Sequence, residues 1–201
     1  SNIDAALAVA EWARQHRNGG RPLQQVYVHL GNVHVRDNLA QRLQGNHHLS
    51  ELHVFSAPQI SVRKLLRERP MNACRVPGRT APNLWVFGAG VLAEELVLNF
   101  LRLGCYLHGQ APSVAVIDRD AATFKSAFAD HWGQSARVAN VKFETVGAEL
   151  GETLYERLVS TTGLPNAVWF TGPDDAANLA AAVQLCSAFE GAGRPRPPLY
   201  V

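Results

Sequence analysis

Leu84-Trp85-Val86-Phe87-Gly88-Ala89-Gly90-Val91-Leu92-Ala93 is the stretch of sequence that decides the fold. A short apolar run enters a glycine-containing turn, and a helical pattern of apolar residues follows as far as residue 104. A second apolar run, Val114-Ala115-Val116-Ile117, then ends on Asp118. The stretch contains a Gly-x-Gly-x-x-Gly/Ala pattern. This pattern indicates a dinucleotide-binding unit when it lies between a strand and a helix and is followed by a second strand that ends in an acid, as it is here.

Each position of this turn has a physical role in holding phosphate. Gly88 permits a tight turn, and Gly90 lets a pyrophosphate approach bare backbone. Ala93 keeps the helix close to the strand, and Val91 and Leu92 lie with it in the first helical turn, whose amides donate to anions. These five residues are the predicted phosphate site. The alternative is a turn that only joins a strand to a helix.

The acid at the end of the second strand bears on the identity of the nucleotide. A carboxylate at Asp118 would accept hydrogen bonds from ribose hydroxyls and repel a 2′-phosphate, which favours NAD or NADH over NADP. Arg119 leaves NADP open, because a neighbouring guanidinium tolerates an extra phosphate. Another adenine nucleotide is a further alternative for the ligand. The ordinary alternative for Asp118 is a strand-end residue or a cap of the next helix.

The second part of the chain alternates strands with helices, which predicts an α/β fold with a Rossmann-like doubly wound parallel sheet. The predicted strands are 84–87, 113–118, 141–146, 167–171 and 198–201. The predicted helices are 91–104, 121–132, 149–160 and 174–190.

The first part of the chain carries a shorter pattern of the same kind. Its predicted helices are 3–16, 33–44 and 58–68, and its predicted strands are 25–30 and 51–55. Residues 2–9 resemble residues 178–185, and both helices are followed by Gly-Arg-Pro and a strand containing Tyr-Val. Alanine-rich helices can also match by chance.

This repeat predicts the domain organisation. Residues 1–68 are interpreted as the C-terminal half of a preceding Rossmann-like domain, so that the chain holds a partial second unit at its N-terminus. Residues 69–83, rich in Pro, Arg and small polar residues, are the predicted linker. Residues 84–201 are the predicted nucleotide-binding domain. We expect this domain to be truncated and the chain to be a piece of a longer polypeptide.

Composition excludes several classes of function. The chain has 201 residues with 19 basic and 17 acidic side chains, a balance that gives no electrostatic case for nucleic acid as a partner. Its three isolated cysteines fit a reducing compartment and argue against a disulfide framework or a zinc site. The longest apolar region, 84–103, is interrupted by charged and polar residues and does not predict a membrane span.

Three segments resemble the TrkA-N or RCK domains, the regulators of potassium conductance. They are Val86–Gly90, Val116–Asp120 and the loop and helix start Thr171–Leu179. The resemblance covers nearly all of 84–201 and extends more loosely over 1–68. It implies a Rossmann fold, paired domains or a homo-oligomer, and control of an attached membrane pore by bound nucleotide. It also implies a position on the cytoplasmic face of the membrane, as part of a potassium channel or transporter-like protein.

Two segments near the predicted crevice leave alternatives open. Thr171 and Gly172 would lie beside the nicotinamide or the phosphates, while the ordinary interpretation of Thr171 and the two acids after it is capping of the following helix. After the third strand the family places an Asp, whereas this chain has Thr145-Val146-Gly147-Ala148-Glu149. That departure puts the affinity and identity of the nucleotide in doubt.

No catalytic pattern stands out, so we expect a module that is not an enzyme. A Tyr-x-x-x-Lys pair is missing, because the residue four positions after Tyr155 is Val159 and not lysine. Neither a Gly-x-Ser-x-Gly elbow nor a Gly-Lys-Ser/Thr phosphate loop occurs. The histidines lack the spacing of metal ligands. Two rival functions remain: the cofactor domain of an NAD(P)-dependent oxidoreductase, and a degenerate Rossmann module retained for assembly.

Overall fold

The chain divides into two compact units, 1–61 and 62–201. The computed structural model describes residues 2–15, 26–44, 52–69, 81–104, 111–134, 140–147, 152–161 and 163–201. Most of the predicted linker, 69–83, therefore lies outside the described residues.

The first unit contains a small parallel sheet. Its elements are α1 (Asn2–Gln15), β1 (Val26–His29), α2 (Val33–Gln44), β2 (Leu52–Phe55) and the first residues of α3 (Ala57–Glu68). The helix α2 provides the crossover that two parallel strands require, and Asn32 Oδ1 caps it by accepting from the Val35 amide at 3.1 Å. A cluster of Val28, Leu30, Leu39 and Leu52 forms its buried core.

The second unit contains a five-stranded parallel sheet with the order β5-β4-β3-β6-β7. Its elements after the end of α3 are β3 (Asn83–Phe87), α4 (Val91–Gly104), β4 (Ser113–Asp118), α5 (Ala121–Trp132), β5 (Asn140–Thr145), α6 (Glu152–Thr161), β6 (Ala167–Phe170), α7 (Asp175–Gly191) and β7 (Leu199–Tyr200). The chain runs outward from β3 to β4 and β5, then returns to the other side of β3 for β6 and β7. This order is that of a doubly wound, Rossmann-like sheet and confirms the predicted fold class.

Burial of the strands on both faces explains why they are continuous apolar runs. One face carries Trp85, Phe87, Ile117, Val168 and Phe170, which pack in one cluster with side chains of α6 and α7. The alternate residues of the same strands, such as Leu84, Val86, Val114 and Val116, are also fully buried. Because side chains alternate along a strand, this second set lies on the opposite face. None of the described helices is long and apolar enough to cross a membrane.

The Tyr155 hydroxyl of α6 is buried and has no hydrogen-bond partner among the described residues. Its ring lies 5.8 Å from the ring of Phe87, and burial raises the pKa of the hydroxyl above its usual value of 10.0. A buried donor without a partner destabilises the folded state by about 1–3 kcal/mol.

We therefore expect Tyr155→Phe to raise the free energy of unfolding by about 1–3 kcal/mol at neutral pH, measured by urea denaturation. Above pH 10 the hydroxyl ionises more readily in the unfolded chain than in the folded one, so the wild type loses stability as the pH rises. The Phe variant lacks this contribution, and its advantage should widen there. A variant less stable than wild type at neutral pH would contradict the unpaired state of the hydroxyl.

Candidate functional site

The predicted glycine turn lies at the point where the strand order of the sheet reverses. β3 pairs with β4 on one side and with β6 on the other, and Phe87 lies opposite Phe170. The turns that leave these two strands, at Gly88 and at Thr171, therefore meet at the carboxyl edge of the sheet. In open doubly wound sheets, ligands bind in the crevice at this switch point.

Gly88 has a backbone conformation that favours glycine. Its φ is +115°, as a tight turn requires, and its amide donates to Ile117 O at 3.0 Å. A Cβ at this position would lie 2.6 Å from Thr171 Oγ1 and 3.0 Å from the Gly172 amide nitrogen. The tight turn agrees with the sequence interpretation. The close approach of the second loop is an additional reason for glycine that the sequence did not indicate.

The backbone around Gly90 is open, in contrast to Gly88. A Cβ at Gly90 would have no atom within 4 Å, and Gly90 O accepts the Glu94 amide at 3.0 Å as the helix begins. Ala93 is fully buried, while Val91 is 41% exposed. The amides of a first helical turn lack acceptors within their own helix, so they are suited to an anion that approaches beside Gly90.

Asp118 ends β4 beside the glycine turn and organises the next turn of the chain. Its Oδ1 accepts the Asp120 amide at 2.7 Å, and its backbone oxygen accepts the Val146 amide at 3.1 Å. The N-cap of α5 is Asp120, so the alternative role of Asp118 as that cap is wrong. A carboxylate that accepts one backbone hydrogen bond still has acceptor capacity for a hydroxyl. Arg119 is exposed at the same end of the strand.

The loop after β6 is fixed by its own hydrogen bonds. Thr171 donates twice to Phe87 O, from its amide at 2.7 Å and from its hydroxyl at 3.1 Å. Asp174 caps α7 by accepting the amides of Ala176 and Ala177, at 2.9 and 3.1 Å.

Asn178 completes this arrangement by donating from Nδ2 to Gly172 O at 2.9 Å. Capping and loop bracing thus account for Asp174 and Asn178. Thr171 and Gly172 form a rigid wall beside the glycine turn, and the Thr171 oxygen retains the capacity to accept a hydrogen bond.

One contact near the turn was missed by the sequence interpretation. Trp132 Nε1, at the end of α5, donates to Glu94 Oε1 at 2.9 Å and so ties α5 to the first turn of α4. A carboxylate in a first helical turn stabilises the helix dipole but repels a phosphate bound there. The 38 positions that separate the two residues leave no local pattern in the sequence to reveal the pair.

The segment after the third strand is only partly described. Val146 is buried, Gly147 is exposed with open space around it, and residues 148 and 149 lie outside the described residues. Arg157 of α6 pairs with Glu144 of β5 at 2.7 Å. The predicted consequence of the missing Asp for nucleotide affinity therefore stays a prediction.

The described parts of the site offer a defined chemistry. They bring together open backbone at a helix N-terminus, one carboxylate at the neighbouring strand end and a braced second loop. Within the described ranges, no group of three or more His, Cys, Asp or Glu residues could hold a metal ion.

No protein-family model matches the chain, and no curated protein matches it.

Proposed function

We propose that residues 84–201 form a regulatory module that binds an adenine dinucleotide of the NAD type at the switch point of the sheet. The observation that carries the proposal is the contrast between the two glycines. Gly88 is packed against the loop of Thr171, whereas Gly90, two residues on, borders open space at the start of α4. A helix N-terminus with open backbone at a switch point is the arrangement that binds a pyrophosphate.

Different residues of the site would contact different parts of the dinucleotide. Gly88, Gly90, Val91, Leu92 and Ala93 would hold the pyrophosphate. Asp118 would accept from the adenosine ribose with Arg119 beside it, and Thr171 with Gly172 would form the opposite wall. NAD or NADH fits a carboxylate at the ribose better than NADP does.

A regulatory role is supported by the absence of a catalytic pattern in the sequence and by the resemblance to RCK domains. On that basis we propose that the module pairs with like domains in a homo-oligomer and biases an attached membrane pore from its cytoplasmic face. The ligand must then bind one arrangement of the paired domains more tightly than the other. Moving such an equilibrium from 1:99 to 99:1 takes about 5.5 kcal/mol of differential affinity, which several sites in an oligomer can supply together.

The decisive test of the site is Gly90→Asp. The open space at Gly90 accommodates the side chain, so the fold should persist, while a carboxylate repels the pyrophosphate from its position. We expect the affinity for NAD and NADH to fall by at least about 100-fold. This loss corresponds to about 2.8 kcal/mol of binding free energy. Isothermal titration calorimetry measures the affinity, and circular dichroism checks the fold.

Gly90→Ala is the matched control, because its methyl group meets nothing and carries no charge. It should retain most of the affinity. Unchanged binding in Gly90→Asp would reject the site. A wild type that binds none of NAD, NADH, ADP and ATP would instead favour the degenerate assembly module, and turnover with a candidate substrate would favour the oxidoreductase.

A further inference from the structure

A second feature of the 62–201 unit is the outer edge of β5, the last strand on one side of its sheet. β5 pairs with β4 along one side and, among the described strands, with none along the other. The backbone amide and carbonyl groups on such an edge can pair with a strand of another chain. Every side chain of β5 is exposed or half-buried, so these side chains decide which strand the edge accepts.

An apolar groove lies between this edge strand and α5. Its volume is about 520 Å³, and its apolar walls include Phe128 and Trp132 of α5 and Phe143 of β5. The lining also contains three charged residues, Lys125 of α5 and Lys142 and Glu144 of β5. Phe143 is half-buried, and its ring lies 5.9 Å from that of Phe128. An apolar side chain from a neighbouring strand would therefore find apolar surface to cover on this face of the sheet.

The charged side chains of β5 lie on the other face. Alternate residues of a strand point to opposite faces, so Lys142 and Glu144 share one face and Phe143 lies on the other. Glu144 accepts a hydrogen bond from Arg157 of α6 at 2.7 Å, on the face that α6 covers. A lone lysine on an edge strand discourages pairing with other chains. Here an anion follows two residues later on the same face, so a cation, an aromatic ring and an anion succeed one another along the edge.

This order of residues is complementary to itself. When two copies of β5 pair antiparallel about a two-fold axis at Phe143, each Phe143 faces its counterpart, and each Lys142 faces the partner's Glu144. Opposite charges directly across antiparallel strands stabilise the pair, whereas like charges destabilise it. Moving the axis to Lys142 or to Glu144 would place like charges opposite each other. The charges therefore select the register centred on Phe143.

We propose that β5 is a self-association surface, through which two copies of the chain join their five-stranded sheets into one continuous sheet. The two Phe143 rings would meet beside the apolar groove on one face, and two ion pairs between Lys142 and Glu144 would form on the other. A contact in which both copies use the same surface closes at two copies. The inference goes beyond the proposed homo-oligomer, because it assigns the surface and requires no bound nucleotide.

Sedimentation equilibrium of the wild-type chain without nucleotide measures the association. We expect a concentration-dependent equilibrium between one copy and two. Lys142→Glu places like charges across both pairs and should weaken the dimer at least about tenfold. Lys64→Glu is the matched control, since it makes the same change of charge at a lysine of α3 whose side chain is 66% exposed. It should leave the dissociation constant unchanged.

A mixture of two charge variants separates the register from a general loss of stability. Lys142→Glu makes positions 142 and 144 both acidic, and Glu144→Lys makes both basic, so each variant repels its own copies. One copy of each variant restores opposite charges across both pairs. We expect the equimolar mixture to form mixed dimers close to wild-type affinity. Ion pairs at exposed positions contribute little to stability, so both variants should fold, which circular dichroism checks.

Three results would overturn the inference: a wild type that stays monomeric at every concentration, a dimer that Lys142→Glu leaves as tight as before, or a mixture that does not recover the dimer. Hydrogen exchange of the wild type keeps the test valid if a variant does not fold. Amides of β5 should exchange more slowly where the dimer forms, and unchanged exchange there would also overturn the inference.

The proposed nucleotide site is tested separately from this surface. Gly90→Asp should dimerise like the wild type although it loses nucleotide, because Gly90 lies outside β5. Calorimetric titration with NADH reports on the site, and sedimentation reports on the surface. A failure of one is thus distinguishable from a failure of the other.

Discussion

Replacing Gly88 by alanine is expected to lower the free energy of unfolding by about 3 kcal/mol. A non-glycine residue held at a sparsely populated positive φ costs about 1–3 kcal/mol, and Gly88 has a φ of +115°. The new methyl group would also lie 2.6 Å from Thr171 Oγ1, with backbone atoms of the same loop at 3.0 Å. The loop that contains Thr171 would have to move to relieve this clash. That movement would weaken the two hydrogen bonds from Thr171 to Phe87 O.

Gly90→Ala provides the comparison for this prediction. It introduces the same methyl group two residues away, at a glycine without positive φ and with open space around it. We expect its free energy of unfolding to rise by no more than about 1 kcal/mol, because alanine lowers the entropy of the unfolded chain. Urea denaturation of both variants gives the two free energies. Equal values would show that the packing of the two loops at the switch point contributes little to stability.

Replacing Phe189 by alanine is the second large effect that we expect. Phe189 is fully buried on α7, and its ring lies 6.1 Å from that of Trp85 in the centre of the sheet. Truncation of a buried phenylalanine typically lowers the free energy of unfolding by about 3–5 kcal/mol, through lost burial and the cavity that remains. A thermal or urea unfolding curve measures the loss.

Val183→Ala on the same helix controls for the general effect of truncation. Val183 is 59% exposed, so its replacement should change the free energy of unfolding by no more than about 0.5 kcal/mol. If the two variants were equally stable, the cluster that joins α7 to the sheet could not be the core of the 62–201 unit.

The elements of the 62–201 unit could be predicted because their signals are local. The apolar run that ends at Phe87 and the turn beginning at Gly88 identify a strand and the start of a helix over ten residues. Repetition of this pattern predicts a parallel sheet, because each crossover helix returns the chain to the end of the sheet at which the previous strand began. The capping role of Asp174 was also accessible, because the amides that it accepts lie two and three residues away.

The contacts that shape the site could not be predicted in the same way. Thr171 donates to Phe87 O across 84 positions of the chain, and Trp132 donates to Glu94 across 38. Both pairs exist only because the strand order places β6 beside β3, and α5 within reach of α4.

The sequence by itself therefore determined the order and type of the elements, the parallel sheet and the position of the glycine turn. These features could be predicted because they depend on the spacing of apolar residues and on the conformational freedom of glycine, both of which are properties of a few neighbouring residues. Only the tertiary structure decided that Gly88 is packed against the Thr171 loop while the space around Gly90 is open. Distances between residues far apart in the chain depend on how the whole sheet is assembled, and no short segment contains that information.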